Sequence, residues 1–208
     1  MTDLVHFYHC WVDGDWEEPV QEHLAALEAA RIPFRARHVV LVGHEDRRMN
    51  AWEWYFKRGW RRHDADSGHE EVTINLIRRL AIEYRGINIF YAHDKAAWHR
   101  GPDDIHVAWR RNLTEYTIAR WRECVNALGT HDIAGPYWLT RENFPNSPDV
   151  DTPFFGGNYW WARSDYLRTL PVCTSEKHTD AERWIGLGTP TVFSQDPRWP
   201  GFPPPLPS

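Results

Sequence analysis

Polar and titratable residues end three hydrophobic, strand-like segments of this 208-residue chain: His9-Cys10, Gly43-His44-Glu45 and His93-Asp94-Lys95. In an open α/β sheet, ligands bind beyond the carboxyl ends of the strands. The first two groups are as consistent with ordinary loop residues as with a binding site. The third combines an imidazole, a carboxylate and an ammonium group, which together can hold a metal ion, a diphosphate or a sugar hydroxyl. We therefore predict a functional site at His93-Asp94-Lys95.

A second candidate site lies in an aromatic, glycine-rich string at residues 155–162. Adjacent glycines allow a ligand to approach the backbone closely, and an asparagine offers both a donor and an acceptor. Because sugars present hydroxyls beside apolar ring faces, the string predicts sugar contacts from Gly156, Gly157, Asn158 and Trp160. The simpler interpretation is that Trp160 and Trp161 are core residues on opposite faces of a strand.

Two carboxylates are candidates for a general base. Glu182 lies among apolar residues in the string 180–186, an environment that suits proton transfer. It is equally consistent with a helix-surface carboxylate paired with Arg183. Asp165 is the second candidate.

Composition and missing motifs exclude several classes of protein. The net charge of −5 argues against a general nucleic-acid binder. The chain has no run of about 20 apolar residues, so we expect no membrane span. No dinucleotide fingerprint, GK[ST] loop, GxSxG elbow or HExxH pair occurs. The 3 cysteines have no metal-type spacing and are consistent with reduced thiols in a cytoplasmic protein.

Hydrophobic periodicity predicts the elements that position these residues. We expect strands at residues 4–9, 37–42, 87–91 and 131–135, helices at 19–31, 72–84 and 106–128, and polar, irregular chain at 45–69. We also expect a loop at 140–153, a bent strand at 154–162, and short helices at 164–167 and 179–185. The order of strands and helices predicts an α/β fold in a single domain, residues 1–192. Residues 193–208 read as an extended, proline-rich tail.

Four strings resemble a group of bacterial glycosyltransferase-like proteins, often found with polysaccharide or secondary-metabolite genes. They are Tyr91 to Lys95, the helix 109–128 with Asp132 to Gly135 after it, Gly157 to Arg163, and Glu182 to Gly186. The resemblance covers residues 4–188 in the same order. It implies a GT-A-like, Rossmann-like mixed sheet flanked by helices. A nucleotide-diphosphate sugar would lie over the N-terminal half, with acceptor contacts from the C-terminal half.

The chain departs from the GT-A pattern where a DxD motif usually holds a divalent cation against the diphosphate. His93-Asp94-Lys95 takes that place, and Ala96 follows where the group has a glycine. The DxD strings of this chain, Asp13-Gly14-Asp15, Asp64-Ala65-Asp66 and Asp149-Val150-Asp151, are predicted to lie in loops. Of these, Asp13-Gly14-Asp15 is expected to lie nearest the nucleotide. Two possibilities stay open: Mn²⁺ or Mg²⁺ held by His93 and Asp94, or neutralisation of the diphosphate by Lys95.

The resulting hypothesis is a glycosyltransferase that moves a sugar from a nucleotide-diphosphate donor to a hydroxyl acceptor. His9, Cys10, Trp11, Gly43 and His44 would flank the nucleotide, and His93 and Lys95 would meet the diphosphate. Glu182, or failing that Asp165, would deprotonate the acceptor if the reaction inverts the anomeric centre. The alternatives are a non-catalytic carbohydrate-binding protein and a metal-dependent hydrolase or nucleotidyl-processing enzyme.

Overall fold

Strands and helices alternate through the first half of the chain, and the periodicity predicts this alternation outside residues 45–69. A computed structural model describes residues 2–94, 104–144, 151–174 and 179–196. The first seven elements are β1 (Leu4–Trp11), α1 (Glu17–Ala30), β2 (Phe34–Val42), α2 (Glu45–Phe56), β3 (Arg61–Ala65), α3 (Glu71–Glu83) and β4 (Asn88–His93). The remaining elements are α4 (Asp104–Thr114), a π-helical turn (Glu115–Ala119), α5 (Trp121–Ala127), β5 (Ile133–Gly135), β6 (Trp138–Leu139), β7 (Phe154–Phe155), β8 (Trp160–Arg163), α6 (Ser164–Leu167), α7 (Asp180–Trp184) and β9 (Val192–Ser194).

Seven strands form one mixed sheet in the order β3-β2-β1-β4-β8-β5-β9. β1 pairs in parallel with β2 and β4, and β2 pairs in parallel with β3. β8 runs antiparallel to both β4 and β5. The carboxyl ends of β1 to β4 therefore lie along one side of the sheet, here called the carboxyl edge, and their starts lie along the amino edge. This architecture confirms the predicted α/β class with a mixed sheet flanked by helices.

Side chains alternate across the sheet and fill a core on each face. Tyr8 and Cys10 of β1 pack on the face covered by α1 and α5, whereas Phe7 packs on the face covered by α3 and α7. Trp160 and Trp161 are fully buried, one on each face. The interpretation of these two tryptophans as core residues is thus confirmed. Within the described ranges, no helix is both long and apolar enough to cross a membrane.

The prediction of irregular chain at residues 45–69 is wrong, because this segment holds α2 and β3. Only Arg48, Ala51 and Tyr55 of α2 are buried, so its apolar stripe is too narrow to stand out in the sequence. β3 is the outermost strand of the sheet and none of its residues is buried. It therefore lacks the apolar alternation by which a core strand is recognised.

Two further predictions need correction. The helix predicted at 106–128 is interrupted by the π-helical turn, where the indole nitrogen of Trp161 donates to the carbonyl oxygen of Thr117 at 2.9 Å. The predicted tail begins too early, because Phe193 and Ser194 belong to β9 and pair with β5. The rest of the tail, from residue 197, lies outside the described residues.

A buried histidine pair joins β1 to α1. Nδ1 of His6 donates to the carbonyl oxygen of Phe90 at 3.1 Å, so its Nε2 is left to accept from Nε2 of His23 at 2.8 Å. Both rings are buried, and burial disfavours the charged form of an imidazole, so both are neutral near pH 7. Burial lowers the pKa of His6 to about 3 and lowers the pKa of His23 well below its usual value.

We expect acid to destabilise the fold through this pair. The folded-state pKa values lie below the unfolded value of about 6.5, so their contribution is fully present above that pH and is lost as the pH falls below it. In urea unfolding at pH 7.5 to 5, a His6→Phe/His23→Phe double variant should show a shallower pH dependence, by up to about 1.4 kcal/mol per pH unit for each histidine removed. His44→Gln, at an exposed histidine, should keep the original slope. An unchanged slope in the double variant would contradict the assignment.

Candidate functional site

The ends of β1, β2 and β4 meet at the carboxyl edge, which brings the three predicted residue groups together. The backbone nitrogen of Asp94 donates to the carbonyl oxygen of His9 at 3.1 Å, continuing the β1–β4 pairing beyond the strand. On the other side of β1, the backbone nitrogen of Val12 donates to the carbonyl oxygen of Val42 at 2.9 Å. The candidate site is the surface above these three strand ends.

A carboxylate from the turn after β1 binds the loop after β2. Asp13 accepts hydrogen bonds from the backbone nitrogen of His44 at 3.1 Å and from Nδ1 of its ring at 2.9 Å. Gly43 has a φ of +129°, and a Cβ added there would lie 2.7 Å from the Asp13 carboxylate. Desolvation acts to raise the pKa of Asp13, but the hydrogen bonds from His44 outweigh it, and the net effect is a lowered pKa. Asp13 is therefore held as an anion beside the predicted nucleotide contacts Gly43 and His44.

Glu70, immediately before α3, is the centre of a hydrogen-bond network at the end of β4. Its Oε2 accepts from the hydroxyl of Tyr91 and from Nδ2 of Asn158, both at 2.6 Å. Its Oε1 lies 3.6 Å from Nδ1 of His93, and the side chain is only 18% exposed. The carboxylate thereby connects α3, β4 and the turn between β7 and β8.

His93 contacts the glycine–asparagine turn directly. Its Nε2 donates to the carbonyl oxygen of Gly157 at 3.1 Å, and the hydroxyl of Tyr159 donates to the carbonyl oxygen of His93 at 2.6 Å. The two strings that the sequence singled out most strongly are thus brought together at the carboxyl edge.

The four predicted sugar contacts, Gly156, Gly157, Asn158 and Trp160, are all buried. Both ends of the Asn158 amide are used, because its Oδ1 accepts from the indole nitrogen of Trp160 at 2.9 Å while its Nδ2 binds Glu70. A Cβ added at Gly157 would lie 2.6 Å from Cδ1 of Leu113, so this glycine allows close approach of α4. These residues are covered by other parts of the protein in this structure, and direct sugar contact from them stays a prediction.

Asp94 and His93 do not fit a shared metal site. Neighbouring residues of an extended strand point to opposite faces of the sheet. Oδ2 of Asp94 accepts from the backbone nitrogen of Trp11 at 2.7 Å, whereas the His93 ring lies on the other face beside Glu70. Asp94 is 4% exposed, and burial raises its pKa well above the usual range. Within the described residues, no three acidic, cysteine or histidine side chains form a metal-binding cluster.

The residues at the end of β1 separate into buried and accessible groups. His9 is buried, its Nδ1 lies 2.9 Å from Oγ1 of Thr73, and burial lowers its pKa to about 4. Cys10 is fully buried in the core on the opposite face, so its predicted contact with a nucleotide does not fit its position. Trp11 is only partly buried and remains the accessible member of this group.

The two predicted bases lie in different places. Asp165 follows β8, whose last residue Arg163 pairs with Asn88 at the start of β4, so Asp165 lies at the amino edge and is not brought to the candidate site. Glu182 is on α7, which packs against α3 on the face that carries Glu70. Lys95 lies outside the described residues.

Glu70 was missed by the sequence analysis. Its position in the sequence could have indicated it, because it is an acidic residue directly before the amphipathic helix α3. Acidic residues are favoured near helix N-termini. Its partners Tyr91 and Asn158 are 21 and 88 residues away, so sequence spacing gave no reason to connect them.

The sequence matches no protein-family model and no curated protein. Solved structures do share the fold. A 4-diphosphocytidyl-2C-methyl-D-erythritol synthase from Anaerococcus prevotii aligns with a TM-score of 0.54 at 9% identity, over 93% of this chain and 88% of that one. Glucosyl-3-phosphoglycerate synthase from Mycobacterium tuberculosis, in complex with Mn²⁺, UDP and phosphoglyceric acid, aligns with a TM-score of 0.52 at 12% identity, over 93% and 68%.

Residues 1–349 of TarS from S. aureus align with a TM-score of 0.51 at 12% identity, over 94% of this chain and 59% of that one. At such identities the likeness shows the fold. This chain has the GT-A-like fold that nucleotide-diphospho-sugar transferases and nucleotidyltransferases share, as the resemblance in sequence implied.

Replacing Glu70 by leucine should destabilise the fold, because the amide of Asn158 and the hydroxyl of Tyr91 would lose their buried acceptor. The cost of an unsatisfied buried donor is about 1–3 kcal/mol, so we expect a loss of about 2–4 kcal/mol in urea unfolding. Glu70→Gln keeps an oxygen for both donors and should lose less than about 1 kcal/mol. Glu83→Leu, at an exposed site at the other end of α3, is the matched control. Equal losses in Glu70→Leu and Glu83→Leu would rule out the network as a stabilising element.

Proposed function

We propose that this protein transfers a sugar from a nucleotide-diphosphate donor to a hydroxyl acceptor at the carboxyl edge. The observation that carries the proposal is the meeting of three polar strand ends there, in a fold whose sugar-transferase members include one solved with UDP. Ligands of open α/β sheets bind at this edge. Two features suit the two ends of such a donor: an anionic Asp13 for the nucleoside and the neighbourhood of His93 for the diphosphate.

The nucleoside subsite would use the turn after β1 and the loop after β2. The carboxylate of Asp13, held by His44, can accept hydrogen bonds from the N–H of a base or from ribose hydroxyls. The partly buried ring of Trp11 offers an apolar face beside it. Gly43 and His44 flank this subsite, and His9 supports it from below.

The diphosphate subsite would use Lys95 as its positive charge. Lys95 directly follows Asp94, whose backbone and side chain fasten the end of β4 to β1. In the reaction, the acceptor oxygen bonds to the anomeric carbon, the bond from that carbon to the diphosphate breaks, and the acceptor proton passes to a base. A cation placed at the leaving diphosphate stabilises the charge that develops there. Since His93 and Asp94 diverge, no step is assigned to a metal held by that pair.

Glu182 would be the base if the reaction inverts the anomeric centre. It lies on α7, beside Ala181, which packs in the same core as Ile74 of α3. The first turn of α3 lies at the carboxyl edge next to Glu70, so α7 is on the face of the sheet from which an acceptor could approach. The buried turn of Gly157 and Asn158 would support the donor sugar from below.

Nucleotidyl transfer is a second candidate. The likeness in fold to 4-diphosphocytidyl-2C-methyl-D-erythritol synthase favours it. In that reaction class, an acceptor oxygen attacks the α-phosphate of a nucleoside triphosphate and pyrophosphate leaves. Release of pyrophosphate from a nucleoside triphosphate would identify it, whereas release of a nucleoside diphosphate from a nucleotide sugar identifies sugar transfer.

UDP or GDP should raise the melting temperature of the protein, because a ligand that binds only the folded state stabilises it. Asp13→Ala should abolish the shift by removing the anion that binds the nucleoside. Asp15→Ala, two residues away in the same turn and exposed, should keep it. A protein that binds saccharides but shows no shift with either nucleotide would be the carbohydrate-binding alternative, and the proposal would fail.

Glu182→Gln should lower turnover of a nucleotide sugar by about 10²- to 10⁴-fold, the usual contribution of a general base, while leaving the thermal shift with UDP or GDP intact. Lys95→Ala should also lower turnover, because the leaving diphosphate loses its counter-charge. Asp165→Asn should remain active, since Asp165 lies at the amino edge. Normal turnover in Glu182→Gln would eliminate Glu182 as the base.

A further inference from the structure

We infer that β3 and the outer face of α2 form the interface of a two-fold symmetric dimer, with a second copy of this chain as the partner. β3 is the last strand of the sheet and pairs only with β2 in the described part of the chain. An unpaired strand edge presents N–H and C=O groups that a strand of another chain can bind. This surface lies at the side of the sheet, so the inference does not rest on the proposed function.

The direction of the backbone groups identifies which residues of β3 face the open side. The backbone nitrogen of Gly43 donates to the carbonyl oxygen of Ala65 at 3.1 Å, so Ala65 directs its carbonyl group toward β2 and its loop. Successive residues of a strand alternate in this direction. Arg62 and Asp64 therefore direct their N–H and C=O groups outward, whereas His63 directs its groups toward β2.

These outward residues permit an antiparallel pairing of β3 with its own copy. When the two-fold axis passes between the two copies of His63, Arg62 of one chain lies opposite Asp64 of the other, and Arg61 lies opposite Ala65. In an antiparallel ladder, two opposite residues that both face the partner strand exchange two backbone hydrogen bonds. Each of the two Arg62–Asp64 pairs meets this requirement.

The charges of β3 favour that register over its neighbours. Opposite charges directly across an antiparallel pair stabilise it, whereas like charges destabilise it. The register centred on His63 places an arginine opposite an aspartate in both pairs. A register centred on Arg62 would place two arginines opposite each other, and one centred on Asp64 would do the same with two aspartates. The strand is therefore complementary in charge to its own copy, as a two-fold interface requires.

The side chains of Arg62 and Asp64 are already arranged for this pairing. Within one chain, Nε of Arg62 donates to Oδ1 of Asp64 at 2.8 Å, and the aspartate side chain remains 40% exposed. Both side chains lie on the same face of the strand, since they are two residues apart. In the dimer, two arginines and two aspartates would therefore form one cluster of alternating charge.

An exposed apolar stripe of α2 lies beside the open edge of β3. Met49, Trp52 and Phe56 recur at helical spacing, and Met49 and Phe56 are 49% and 66% exposed. Arg62 connects the stripe to β3, because its guanidinium donates to Sδ of Met49 at 3.0 Å and lies 5.8 Å from the centre of the Trp52 ring. Pairing of β3 with its copy brings both α2 stripes to the same side of the joined sheet, where they can bury apolar surface.

Sedimentation velocity of the full chain, over about a hundredfold range of protein concentration, tests the inference. We expect a species of twice the 24.6 kDa mass of one chain, which dissociates on dilution. Asp64→Arg places arginines opposite each other in both pairs and should raise the dissociation constant about tenfold or more. Arg62→Asp should have the same effect, because it places aspartates opposite each other.

An equimolar mixture of the Asp64→Arg chain and the Arg62→Asp chain should recover the dimer. In the mixed dimer, each opposite pair again joins an arginine to an aspartate, so the mixture distinguishes a lost interface from a misfolded chain. Phe56→Ser should also weaken the dimer, because it removes apolar surface from the α2 stripe. Ile82→Ser, at a residue of α3 that is 48% exposed, is the matched control and should leave the dissociation constant unchanged.

Three results would overturn the inference. The first is a monomer at every concentration of the original chain. The second is a dimer whose dissociation constant is the same in Asp64→Arg, which would place the interface elsewhere. The third is a failure of the two charge variants to associate when mixed, although each keeps the melting temperature of the original chain. If the charge variants unfold, equal dissociation constants for Phe56→Ser and the original chain overturn it instead.

Discussion

The packing at the carboxyl edge depends on the hydrogen bonds that one largely buried carboxylate, Glu70, receives from the protein. Removing an ion from water is costly unless hydrogen bonds replace its hydration. Glu70 gains those bonds from Tyr91 on β4 and Asn158 on the β7–β8 turn, which requires both segments to lie against the start of α3. The same requirement places the ring of His93 beside Gly157. The hydrogen bonds to Glu70 therefore help to fix how the β7–β8 turn and the end of β4 lie against the start of α3.

His93 and Asp94 are neighbours in the sequence, but their side chains lie on opposite faces of the sheet and have different partners. His93 belongs to the Glu70 network on one face, whereas Asp94 fastens β4 to Trp11 on the other. A DxD motif needs two carboxylates that reach one cation, and this strand end does not provide two converging ligands. Its structural effect is to hold His93 and Asp94 from opposite faces of the sheet. The proposed neutralisation of the diphosphate by Lys95 does not need two converging carboxylates.

Much of the sheet could be predicted because its inner strands are apolar. β1, β2 and β4 are apolar along most or all of their length, and their ends correctly located the carboxyl edge. The outermost strand β3 and the helix α2, with its narrow apolar stripe, bury too few residues to be recognised from the hydrophobic pattern.

The candidate site was harder to predict than the sheet, because the sequence does not show which residues pack against a glycine. At Gly157 the close neighbour is Leu113 of α4, and at Asn158 the amide is used internally. The role of Glu70 could not be predicted, because its partners Tyr91 and Asn158 are distant in sequence.

Strand direction decides which polar residues can work together. Asp165 was the second candidate base in the sequence, after Glu182, but β8 runs antiparallel to β4 and carries Asp165 to the amino edge. Arg163, the last residue of β8, lies opposite Asn88 at the start of β4, which shows this reversed direction. The two edges are separated by the length of the buried strands β4 and β8, so a side chain at the amino edge cannot take part in chemistry at the carboxyl edge.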